Sequence, residues 1–124
     1  MPGRRNQPER DEQQALVQWM RLQHPKELLV HVPNELVRGC AQARASWLSG
    51  LCPGMPDLIL FCPRGQWHAL IIEMKRKCKK GEHKGKISLR QVQIMEHLQS
   101  KGYKCIVAFG FEAGKKAIEE YLKL

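Results

Sequence analysis

Apolar residues recur along this chain with two periods, and the changes of period mark out its elements. In "QPERDEQQALVQWMRLQH" Leu16 and Trp19 lie three residues apart behind an acidic first turn that follows Pro8, which predicts a helix ended by Pro25. "ELLVHVP" reads as a short strand closed by Pro33 and Asn34, and "ELVRGCAQARASWLSG" as a weaker helix or ordered connection ending at Gly50. The runs "DLILF" and "WHALIIEMK" are continuously apolar and flank the turn-forming "CPRGQ", so they are expected to be antiparallel neighbours at the centre of a sheet. "ISLRQVQIMEHLQSKG" places Leu89, Val92, Met95 and Leu98 at helical spacing before Gly102. "YKCIVAFG" then reads as a strand, and "FEAGKKAIEEYLKL" as a last helix with Ile118 and Tyr121 or Leu122 on its apolar face.

That order predicts an α/β domain in which helices flank a small mixed sheet. At 124 residues with 43% hydrophobic content the chain suits one domain over 1–124, with residues 1–8 expected as a flexible lead. No run approaches the roughly 18 apolar residues that span a bilayer, and "MPGRRNQPER" lacks the apolar stretch of a secretory signal, so a cytoplasmic protein is expected. The five cysteines are scattered and unpaired in spacing, which suits reduced thiols. Cys78 with His83 would supply only two ligands where structural zinc needs four.

Charge changes the picture. The net charge is +9, and residues 75–86, "KRKCKKGEHKGK", hold seven Lys or Arg against one Glu. Such a block attracts polyanions by counterion release, which makes nucleic acid the leading partner and an acidic membrane surface a weaker one. A solvated basic loop is the plain alternative.

The apolar runs also carry charges that a buried strand ordinarily avoids. Glu73 and Lys75, two residues apart, project from one face of their strand, and if the preceding strand is its hairpin partner Asp57 can lie across from Glu73. Two carboxylates and a lysine converging in this way suit a hard divalent cation and phosphodiester hydrolysis. The same residues could instead form a strand-end ion pair with Asp57 capping its turn. Glu12, one helical turn before Leu16, lies on or beside the inward face of the first helix, where an acid also favours the helix dipole.

"GMPDL" followed after one hairpin by "IIEMK" resembles the PD-(D/E)xK signature of restriction-type and repair nucleases. With "PNELVR", "GKISLRQ" and "LQSKGYKCIVAFGFEAGKKAIEEYL", the order and spacing closely resemble the virus-type replication-repair nuclease (VRR-NUC) family and its small stand-alone phage and bacterial members, over roughly residues 10 to 122. The resemblance implies a restriction-endonuclease-like core, with Mg2+ (or Mn2+ in its place) held by Asp57, Glu73, the main-chain carbonyl of Met74 and Glu12. It gives Lys75 the attacking water or the scissile phosphate, and matches Gln91 to the family's supporting glutamine. Ser88 to Gln91 is also an S-x-x-Q capping box, so both readings of Gln91 stand.

The resemblance therefore implies a Mg2+-dependent, structure-selective DNA endonuclease of branched DNA, four-way junctions foremost. A non-catalytic basic DNA-binding module and a flap- or strand-nicking nuclease of the same fold are the alternatives. Phosphate contacts are expected from Arg38, Lys79, Lys80, Lys84 and Lys86, with Arg44 a further one. Trp19, Trp47 and Trp67 are expected to pack in a core or an interface rather than stack on bases. Resolving a junction takes two cuts, so a homodimer is expected, its interface drawing on Trp19, Leu36, Val37, Trp47 and Leu48.

Overall fold

The structure, a computed structural model, describes residues 8–33, 40–77 and 86–124. Its elements run α1 (Pro8–Gln23), β1 (Leu29–His31), α2 (Cys40–Leu48), β2 (Leu58–Leu60), β3 (Ala69–Lys75), α3 (Leu89–Ser100), β4 (Tyr103–Phe109) and α4 (Phe111–Leu122). Every predicted element is present, including the weaker helix. The expected flexible lead falls outside the described residues except for Pro8, which opens α1.

The four strands form one mixed sheet in the order β1-β2-β3-β4. β2 pairs antiparallel with both β1 and β3, whereas β4 lies parallel to β3 along all seven of its residues. A parallel neighbour requires a crossover, and α3 supplies it. The hairpin turn between β2 and β3 is closed by mutual main-chain bonds between Arg64 and Trp67.

β3 is central and covered on both faces, which is why it reads as an unbroken apolar run rather than an alternating one. Leu70, Ile72 and Met74 face a core made with Leu16 and Met20 of α1 and Ile118 and Tyr121 of α4. The intervening positions, Glu73 among them, face α3, so the sheet is sandwiched between α1/α4 and α3. The Tyr121 hydroxyl satisfies its buried polar end by donating to the Cys62 carbonyl at 2.6 Å.

One apolar assignment needs correction. Leu89 is 73% exposed, because α3 meets β4 through half-buried Val92, Met95 and Leu98, and Leu89 lies beyond that stripe in the first turn. Trp19, half-buried, packs against the core and lies edge-on to His24. Trp67 also packs on the core. Trp47 does not: it and Leu48 are 63% and 65% exposed on α2, a helix that makes no extensive contact with the other elements among the described residues.

Candidate active site

β2 stops before β3 does, and the site lies where β3 outruns it. Continuing the register Leu58↔Ile72 by one pair puts Asp57 opposite Glu73. There the backbone of β2 no longer supplies a ladder acceptor, and Asp57 Oδ2 accepts from the Met74 N–H at 2.8 Å instead. N–H and C=O of one strand residue point to the same edge, so the Met74 carbonyl also faces Asp57's side.

The approach to Asp57 is held from both ends. Val32 N–H donates to its carbonyl at 2.7 Å. Upstream, the turn "CPGMP" lies against the first turn of α3, with Arg90 Nε donating to the Pro53 carbonyl at 3.3 Å. Gly54 has a φ of +85°, and a Cβ on it would come within 2.8 Å of Arg90 Cγ. Glycine is needed there on both counts.

Glu73 is the one buried charged side chain among the described residues, at 4% exposure. Its Oε1 accepts from Gln91 Nε2 at 3.1 Å and lies 3.7 Å from Lys75 Nζ. Its Oε2 is buried with no hydrogen-bond partner among the described residues. Burial, then the charge of Asp57, push the Glu73 carboxyl up to about 7, with Lys75 opposing and Glu9 adding to the rise. An orphaned buried carboxylate oxygen costs a free energy that a bound cation would offset.

The structure thus brings Asp57, Glu73, Met74, Lys75 and Gln91 together. Glu12 Oε2 accepts from the Phe111 N–H at the start of α4. The acid of α1 whose charge acts on Glu73 is Glu9, which the sequence reading did not single out. His31 was also passed over. Its Nδ1 lies 3.1 Å from the Asp57 carbonyl and 3.1 Å from Gln13 Nε2. No spacing rule links residues from three elements. Lys86 is exposed just ahead of α3, and Arg44 is exposed on α2. Arg38, Lys79, Lys80 and Lys84 lie outside the described residues, as do Leu36, Val37, Cys78 and His83.

Among the described residues no three of His, Cys, Asp and Glu form a side-chain cage for a metal. The donors present are two carboxylates and a main-chain carbonyl, all hard oxygens. That set suits Mg2+, which keeps several waters and uses one or two carboxylates, better than it suits zinc.

The VRR-NUC domain model matches residues 3–112, and the chain belongs to that family. Among solved structures, a VRR_NUC domain protein superposes with a TM-score of 0.78 at 26% identity, over 96% of this chain and 91% of the other. No curated protein matches. The fold is that of the family, and the domain is a nuclease-type domain with DNA as its substrate.

Proposed function

We propose, from membership of this nuclease family and from the site at the end of β3, that the protein is a Mg2+-dependent endonuclease. It hydrolyses phosphodiester bonds of branched DNA, four-way junctions foremost, in the cytoplasm of a bacterial or phage-infected cell. The observation that carries the metal dependence is the buried, partnerless Oε2 of Glu73 beside Asp57.

Asp57, Glu73 and the Met74 carbonyl would hold the cation, with Glu9 adding negative charge to the site. Bound there, Mg2+ lowers the pKa of water and neutralises charge on the phosphate. Lys75, beside Glu73, orients or deprotonates the attacking water, or holds the scissile phosphate. The Glu73 carboxylate fixes the ammonium of Lys75 from one side. Gln91 fixes Glu73 from the other, so the first two functional side chains on β3 cannot rotate independently. The basic segment 75–86 leads from β3 toward α3 and supplies grip on flanking phosphates without reading sequence.

The test is a cleavage panel of labelled duplex, flap, splayed and four-way DNA with Mg2+, Mn2+, Ca2+ or chelator. Cleavage of the four-way substrate ahead of the others, dependent on Mg2+ or Mn2+, is expected. Equal activity in chelator would sink the metal assignment, and cutting confined to flaps would replace the junction reading.

A further inference from the structure

α1 and α4 run side by side in matched register, and two glycines, Gly110 at the N-cap of α4 and Gly114 within it, let them. A Cβ on Gly114 would lie 2.7 Å from Leu16 Cδ2, and a Cβ on Gly110 would lie 2.9 Å from Glu12 Oε2. Glu12 and Leu16 are one turn apart on α1, as Gly110 and Gly114 are in the other segment, so successive turns meet in parallel. The upper contact is apolar packing. The lower one is polar: the Glu12 carboxylate accepts from the Phe111 N–H, and Gly110, at the N-cap of α4, has no side chain with which to do so.

The capped turn also carries β3. Gly110 N–H donates to the Lys75 carbonyl at 2.9 Å, with Gly110 at a φ of +94°. A Cβ at Gly110 would also come within 2.9 Å of Lys77 Cβ, so the chain leaving Lys75 lies directly on this turn. One continuous set of contacts therefore joins Glu12, the Phe111 N–H, the Gly110 turn and the main chain of Lys75.

We propose that Glu12 is a positioning residue for Lys75: its carboxylate caps α4 from another helix and so holds the Gly110 turn beneath the end of β3. This rests on the nuclease reading given above. An anion at a helix N-terminus is favoured by the free N–H groups and by the dipole, and here the anion comes from a residue 99 positions away. The role differs from metal ligation, in which Glu12 would act on the cation and not on the lysine.

The experiment compares Glu12→Ala, Glu12→Gln and Lys75→Ala by single-turnover cleavage across Mg2+ concentrations and by calorimetric titration with Mn2+. Thermal melts check that each variant is folded at the assay temperature. Glu12→Ala should lower the rate at saturating metal about 10- to 100-fold, the cost of a misplaced lysine, with Mn2+ affinity and DNA affinity unchanged. Glu12→Gln keeps an acceptor oxygen for the Phe111 N–H and should restore most of the rate, again with unchanged Mn2+ affinity. Loss of Mn2+ affinity in Glu12→Gln would overturn the proposal in favour of ligation, and this holds even where Glu12→Ala does not fold. A fully active Glu12→Ala beside an inactive Lys75→Ala would overturn it alone, whereas a fully active Lys75→Ala would overturn the nuclease site beneath it.

Discussion

Gln91 donates to Glu73 from the same amide with which it caps α3. Nε2 reaches Glu73 Oε1 at 3.1 Å, while Oε1 accepts from Ser88 N–H at 2.9 Å and Ser88 Oγ accepts from Gln91 N–H at 3.1 Å. The capping and supporting roles that the sequence left open are therefore not alternatives. The cap fixes the amide's orientation and its other end fixes the carboxylate, so the start of α3 locks the buried acid of β3.

That sharing predicts a dissociation between two variants. Ser88→Ala removes a capping acceptor and should cost about 1 kcal/mol of stability with turnover near wild type. Gln91→Ala removes both functions and should lower stability by a similar about 1 kcal/mol and also slow cleavage. Melting and single-turnover rates on the same preparations check it. Equal turnover in the two variants would show that the bond to Glu73 has no bearing on rate.

A second prediction follows from the burial of Glu73. Its carboxyl titrates at 4.5 ordinarily and at about 7 here, so the folded, metal-free protein takes up a proton that the unfolded chain does not over that interval. The associated stability is fully present below 4.5 and is lost as pH rises through about 7. Its size is on the order of 3 kcal/mol. In chelator the protein should melt at a lower temperature at about pH 8 than at about pH 5, and Glu73→Gln should flatten the difference. A cation that holds the carboxylate ionised should raise the melting temperature more at the higher pH. Calorimetry with and without Mg2+ decides, and an unchanged pH profile in Glu73→Gln would reassign the effect to other groups.

How far the site was legible in the sequence depends on the range of each contact. Asp57 could be set opposite Glu73 because a tight hairpin and the two-residue alternation of strands are local rules, and the register bears this out. The S-x-x-Q cap was equally local. The donor from Gln91 to Glu73 was not, since it depends on how α3 rolls over the sheet. Glu9 and Glu12 both sit in the opening turns of α1, and helical period alone cannot say which acid's charge acts on Glu73 and which reaches α4.

Alanine at each reacting position should separate grip from chemistry. Asp57→Ala, Glu73→Ala and Lys75→Ala should each abolish cleavage with DNA affinity largely retained, because they act on the transition state and not on binding. Mn2+ titration should fail for Asp57→Ala and Glu73→Ala only. Normal turnover by any of the three would dismantle the assignment.

Grip should reside in the basic segment. Neutralising Lys79, Lys80, Lys84 and Lys86 together should weaken binding to every DNA structure and flatten its dependence on salt, since each phosphate contact releases counterions. Cleavage at saturating DNA should survive. Fluorescence anisotropy over a salt series gives the slope, and an unaltered slope would leave these lysines as a solvated loop.

Assembly is the remaining question, and α2 is where it can be tested. One Asp57, Glu73 and Lys75 set cuts one strand, whereas a four-way junction is resolved by two cuts related by approximate two-fold symmetry. Trp47 and Leu48, exposed on α2, leave apolar surface that a second copy would cover. Trp19 is half-buried against the core whereas Trp47 and Leu48 are largely exposed, so the interface is expected to centre on α2. Light scattering should report twice the chain mass. Trp47→Asp with Leu48→Asp should yield a folded monomer, because neither side chain is buried in the domain. The wild type should linearise a supercoiled cruciform plasmid by paired cuts, and the double variant should accumulate nicked circles. A wild-type protein that is monomeric at micromolar concentration and only nicks the cruciform would rule out junction resolution and leave a flap- or strand-nicking nuclease on the same site.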